Sequence, residues 1–139
     1  MGSGFFESFN DENMTKWLET VLQPGENAIA SIYCIYKNAG TFISSGTFPG
    51  YFVITDRDRI VGHLVDITGA NDFSVSLMDV IKIKVKRTLV FKMLSVYIEF
   101  RGIKKKAKIK FNAPKFLRDV KVQEANVILI ENRLQKQKL

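Results

Sequence analysis

The residues in this chain best able to do chemistry are lysines. Residues 82–110 carry eleven bases: Lys82, Lys84, Lys86, Arg87, Lys92, Arg101, Lys104, Lys105, Lys106, Lys108 and Lys110. They face one acid, Glu99. The spacing matters more than the count. In Lys82-Ile83-Lys84-Val85-Lys86 and in Lys106-Ala107-Lys108-Ile109-Lys110-Phe111 every second residue is a lysine and the rest are apolar. Successive side chains of a strand point to opposite faces, so each segment puts three lysines on one side and its apolar residues on the other. Between them, Ser95–Arg101 turns Val96, Ile98 and Phe100 inward and leaves Tyr97, Glu99 and Arg101 outward. As sheet neighbours, the three segments would make one surface of six lysines and Arg101 around Tyr97 and Glu99.

Such a surface attracts anions. Each lysine near an acidic bilayer contributes about 1 kcal/mol, so six or seven could hold a protein there without a pocket. Nucleic-acid phosphates would be attracted too. However, reading bases on a sheet takes two or three exposed aromatic rings, and this face offers Tyr97 alone. Nucleic acid therefore ranks behind an anionic lipid surface or an acidic protein as the expected partner. The plain alternative is a solvated face whose lysines keep strands from pairing edge to edge.

Other chemistry is poorly represented. His63 and Cys34 are the sole histidine and cysteine, which excludes an internal disulfide and the Cys/His zinc patterns. Cys34, among Ile32, Tyr33 and Ile35, reads as a small buried hydrophobe. His63 has no partner base or nucleophile in the sequence pattern. Asp56 and Asp58 are spaced like oxygen ligands of a cation loop, but the glycine and the distal glutamate of a calcium hand are missing. The glycines form no phosphate-binding motif. The expectation is a protein that is not an enzyme and needs no cofactor.

The whole chain has 139 residues, 46% of them apolar, and a net charge of +7. Length and composition fit one folded unit. No apolar run approaches the roughly 20 residues of a spanning helix. The first residues lack the basic and apolar regions of a secretion signal and carry Glu7, Asp11 and Glu12 instead. The expected location is the cytoplasm, with peripheral attachment to the inner membrane face.

The elements that must position these residues follow from periodicity. Met14, Trp17, Leu18, Val21 and Leu22 recur at helical spacing. Asn10 is the expected N-cap, with Asp11 and Glu12 in the first turn and Phe9 against Met14 as a staple. Pro24-Gly25 ends this helix. From Glu26 the pattern becomes that of strands punctuated by turns, expected at Ala28–Tyr36, Tyr51–Thr55, Arg59–Val65, Asp72–Ser76, Val80–Arg87, Ser95–Arg101 and Lys105–Phe111. Phe42 and Ile43 either begin the second strand or form an apolar loop tip that dips into a membrane or meets a partner. Pro114 is expected to open a closing helix with Leu117, Val120, Val127, Ile128 and Leu134 near one face.

Two stretches carry a family resemblance. Leu22-Gln23-Pro24-Gly25-Glu26 precedes the first strand, and Gly50-Tyr51-Phe52-Val53-Ile54-Thr55-Asp56-Arg57-Asp58-Arg59-Ile60 crosses the next turn. Ser76-Leu77-Met78-Asp79-Val80 adds a short polar–apolar step into the fifth strand. With this order of elements the chain resembles the pleckstrin-homology superfold, in particular its bacterial PH and GRAM-type domains. Thr55 and Arg59 lie one residue further apart than in that family's turn. Lys37 is the lone base between Ala28 and Ile54, so the family's inositol-phosphate site does not carry over. The resemblance implies a barrel of about seven antiparallel strands in two roughly orthogonal sheets, capped by a C-terminal helix. Residues 26–139 would form it, and residues 1–25 would supply an extra helix packed on it. The expected function is a non-catalytic interaction module using Lys82, Lys84, Lys86, Arg101, Lys106, Lys108 and Lys110. The alternative is an assembly protein that oligomerises through Trp17, Phe42 or Ile43. Trp17 is otherwise the anchor of the first helix.

Overall fold

The computed structural model describes residues 9–37, 47–66, 69–87, 93–101, 106–114 and 122–137, with backbone alone at 66, 106 and 107. In chain order these form α1 (Asp11–Val21), β1 (Ala28–Lys37), β2 (Thr47–Thr55), β3 (Arg59–Asp66), β4 (Gly69–Ser76), a 3-10 turn (Leu77–Asp79), β5 (Val80–Arg87), β6 (Met93–Arg101), β7 (Lys106–Pro114) and α2 (Gln123–Gln137). The seven strands are antiparallel, as expected, with a helix at each end of the chain. Hydrogen bonding links them into one sheet in the order β4-β3-β2-β1-β7-β6-β5. The two expected sheets are thus halves of a single one, joined where β1 meets β7 at Ile35↔Asn112 and Tyr36↔Phe111. Ile32, Phe52, Ile54 and Leu64 of one half meet Ile83, Leu94, Ile98 and Phe111 of the other in a common core. Phe42 and Ile43 lie outside the described residues.

The seam between the halves is short, and α2 covers what it leaves open. The Gln123 side-chain amide accepts from Tyr33 N–H at 2.9 Å and donates to Tyr33 C=O at 2.8 Å. Its nitrogen also donates to Pro114 C=O at 2.8 Å, and Asn126 donates to Ser31 C=O at 2.9 Å. Gln123, 0% exposed, therefore does for β1 what a backbone peptide of β7 would have done. Pro114 lies in β7 and not in the first turn of α2 as described from Gln123. It ends β7 opposite Met93, a strand-terminal place that its missing N–H tolerates, and its carbonyl serves Gln123. Residues 115–121, with Leu117 and Val120, lie outside the described residues. The inward face of α2 is Gln123, Val127, Ile130 and Leu134, whereas Ile128 is turned out. Positions 127, 130 and 134 align on a 3.6-residue period; position 128 lies one step around.

The α1 helix begins as its sequence specifies. Asn13 N–H donates to the Asn10 carboxamide at 2.8 Å, and Phe9 joins Met14 in the cluster beneath the helix. That cluster lies on the outer face of β1–β3, where Tyr51, Val53 and Val61 point away from the barrel core. Trp17 anchors it. Trp17 is 7% exposed, and its Nε1 donates to Asp72 Oδ1 at 3.0 Å. His63 faces away from the barrel core, as alternation predicts, yet α1 covers it: Nδ1 lies 2.7 Å from Asp72 Oδ1 and the ring stacks on Tyr51. Cys34 is fully buried, and burial pushes its thiol far above the ordinary range.

The resembling stretches meet at one corner. Glu26 accepts from Arg59 Nη2 at 2.7 Å, Arg59 Nε at 3.0 Å, Thr55 Oγ1 at 2.6 Å and Gln23 N–H at 2.9 Å. Arg59 also donates to Val21 C=O at 3.0 Å, which ties the end of α1 to the β2–β3 turn. Asp58, at φ 55°, absorbs the extra residue between Thr55 and Arg59 in the left-handed region, which aspartate tolerates.

Candidate anion-binding face

The register of β5, β6 and β7 decides whether the lysines share a surface. Lys82 stands opposite Glu99, which stands opposite Lys108. In the next row Lys84, Tyr97 and Lys110 are aligned, followed by Lys86, Ser95 and Asn112. Side chains directly opposite across a ladder share a face. Lys82, Lys84, Lys86, Lys108 and Lys110 are all exposed there, while Ile83, Val96, Ile98, Ile109 and Phe111 are buried on the other side. Arg101 is exposed at the end of β6, opposite Lys106 in register; the Lys106 side chain lies outside the described residues.

β6 separates the two lysine rows with one acid and one phenol rather than with more cations. Tyr97 Oη donates to Glu99 Oε2 at 2.6 Å, and the Lys84 ammonium sits 5.8 Å from the Tyr97 ring centroid, within cation–π range. The hydrogen bond to Glu99 raises the Tyr97 pKa, so the phenol remains a donor. Like-charge repulsion between the rows is lessened accordingly.

The surface is concave. A cleft of about 460 Å³ is lined by Lys37, Lys84, Tyr97, Lys108 and Lys110. It adjoins a smaller hollow of about 140 Å³ that reaches Lys86, Ser95 and Asn112. Lys37 comes from the last position of β1 and reaches the face because β1 pairs with β7. With the Asn112 carboxamide oriented so that its oxygen faces Lys37, that oxygen accepts from Lys37 Nζ at 2.8 Å and the carboxamide nitrogen donates to Ser95 Oγ at 2.8 Å. Sequence reading missed Lys37 because nothing in a lone lysine after an apolar strand tells which strand lies beside it. It is the pairing of β1 with β7 that brings it there.

Among the described residues, no three His, Cys, Asp or Glu side chains gather to hold a metal ion. No described helix is long and apolar enough to cross a membrane. The cation-loop spacing of Asp56 and Asp58 serves other ends. Asp56 accepts from Asn27 N–H at 3.0 Å, and Asp58 pairs with Arg133 at 3.0 Å.

No protein-family model matches the chain, and no curated protein matches it. Among solved structures it is similar to the hSac2 domain of the human phosphoinositide phosphatase Sac2. That similarity has a TM-score of 0.58 and 11% identity, and covers 91% of this chain and 79% of the other. SsgB of Streptomyces coelicolor, whose mutations correlate with longitudinal cell division during sporulation, aligns with a TM-score of 0.36. Its identity is 12%, over 78% of this chain and 87% of the other. The first likeness supports a mainly antiparallel-sheet fold; the second is too slight to add to it.

Proposed function

We propose that this chain is a non-catalytic interaction module of the pleckstrin-homology or GRAM type that docks on an anionic lipid surface through the lysine face of β5–β7. The carrying observation is that Lys82, Lys84, Lys86, Lys108 and Lys110 are exposed in register on three adjacent strands, with Lys37 joining from β1. At about 1 kcal/mol each, they supply enough attraction for reversible attachment without an inserted anchor. Such lipids line the cytoplasmic leaflet, which sets the proposed place of action. The hSac2 likeness supports the fold of this reading and not its ligand.

Sedimentation with vesicles tests it. Wild type is expected to bind phosphatidylserine-containing vesicles at low salt, to ignore phosphatidylcholine alone, and to dissociate as salt rises. Reversal of Lys84, Arg101 and Lys108 to Glu is expected to weaken binding by about 100-fold or more. Indifference of wild type to anionic vesicles at low salt would sink the membrane reading and leave an acidic protein as the partner. The assembly reading, expected through Trp17, Phe42 or Ile43, gains a further candidate surface in the exposed Val122, which precedes α2, and Ile128 and Leu129 of α2. Light scattering separates the two, because a monomer at every concentration excludes assembly.

A further inference from the structure

The cleft at the centre of the face is more specific than the face as a whole. We infer that it is a discrete site for a compact polyanion bearing clustered phosphoryl groups, with Glu99 as an internal competitor at the Tyr97 hydroxyl. The inference rests on the anion-docking reading for the sign of the charge and goes beyond it in chemistry and stoichiometry.

Four observations carry it. The cleft volume, about 460 Å³, is in the range of small-molecule sites and exceeds what a single phosphate fills. Its cations come from three strands, Lys37 of β1, Lys84 of β5, and Lys108 and Lys110 of β7, so they surround a bound group instead of lining up along it. All four are lysines. A point charge with three donors suits phosphoryl oxygens, whereas a carboxylate-bearing peptide is matched better by the planar fork of arginine, which is absent among the described lining residues. Part of the site is already in place, since Asn112 holds Lys37 Nζ at 2.8 Å and so reduces the ordering cost of binding.

Glu99 supplies the competition. Its carboxylate takes the Tyr97 hydroxyl at 2.6 Å and is flanked in register by Lys82 and Lys108. An anionic oxygen thus already occupies one corner of the lysine cluster. A phosphoryl oxygen arriving in the cleft takes over the Tyr97 donor, and the carboxylate is turned aside.

Titration calorimetry with sodium triphosphate tests the site. Wild type is expected to bind one triphosphate saturably. Lys110→Ala and Tyr97→Phe are each expected to weaken binding by about tenfold, the value of one charge-assisted hydrogen bond. Glu99→Gln is expected to tighten binding severalfold, a gain that a loss of folding cannot produce. Lys82→Ala removes a charge from the same face but lines neither hollow, and is expected to change the affinity less than about twofold. Absence of saturable binding, or equal losses in Lys82→Ala and Lys110→Ala, overturns the inference.

Vesicles of matched surface charge then identify the source of the phosphate. Preference for phosphatidic acid over phosphatidylserine, relieved by triphosphate, assigns the site to a lipid headgroup. Triphosphate binding with no such preference assigns it to a soluble anion. Vesicle binding without triphosphate binding overturns this site and leaves the docking reading standing. Triphosphate binding without vesicle binding does the reverse.

Discussion

At the scale of single residues, a buried ion pair lies away from the lysine face. Glu26 has a fully buried side chain, and Arg59 is the principal reason its pKa is held at about 2 against the opposing effect of burial. A carboxyl whose folded pKa is depressed contributes stability above its unfolded value, near 4.5, and loses that contribution as pH falls through about 2. Acid unfolding is therefore expected to steepen between these limits, and Glu26→Gln to flatten that part of the curve, as read by denaturant melts at several pH values. Glu26→Ala is expected to cost about 3 kcal/mol or more, because Arg59 keeps a partly buried charge without its partner. At Asp72, partial burial alone would raise the pKa, but the hydrogen bonds from His63 and Trp17 outweigh it and hold the carboxyl low. Asp72→Ala is expected to loosen α1 while sparing the barrel, which the fluorescence of the single tryptophan reports as a red shift. The sequence displayed Glu26, Thr55 and Arg59 as members of resembling stretches. Their mutual contact was hidden, because a motif records which residues recur and not which ones touch.

At the scale of elements, alternation and capping made most of the fold legible. All seven strands were anticipated, with ends displaced by a few residues, and α1 by its cap and staple. What local pattern could not reveal was the partner of each strand edge. Gln123 looks like an ordinary polar helix residue in sequence, yet it repairs the β1 edge. Gln123→Ala removes three partly buried hydrogen bonds and strands the backbone N–H and C=O of Tyr33. A loss of about 3 kcal/mol is expected in equilibrium unfolding, with faster hydrogen exchange at the Tyr33 amide. Pro114 misled for a related reason. Its fixed φ suits a helix start and a strand end alike, and only the carbonyl's partner decides between them.

At the scale of the whole molecule, the charge asymmetry of the sequence becomes a sided particle. Alternation alone was enough to place Lys82, Lys84, Lys86, Lys108 and Lys110 on one face, and the three-strand order made that face continuous. The concavity was not legible, since it depends on sheet curvature and on Lys37 crossing from the first half. With a net charge of +7, moderate salt is expected to raise the melting temperature by a few degrees through screening, before any ligand is added. The cleft also straddles the narrow join between the halves: Lys37 belongs to β1, while Lys84, Lys108 and Lys110 belong to the other half. Whatever settles among these amines ties one half of the sheet to the other across that join. Occupancy then stabilises the join itself, and slower amide exchange at Ile35 and Tyr36 would register a visitor that never touches their backbone.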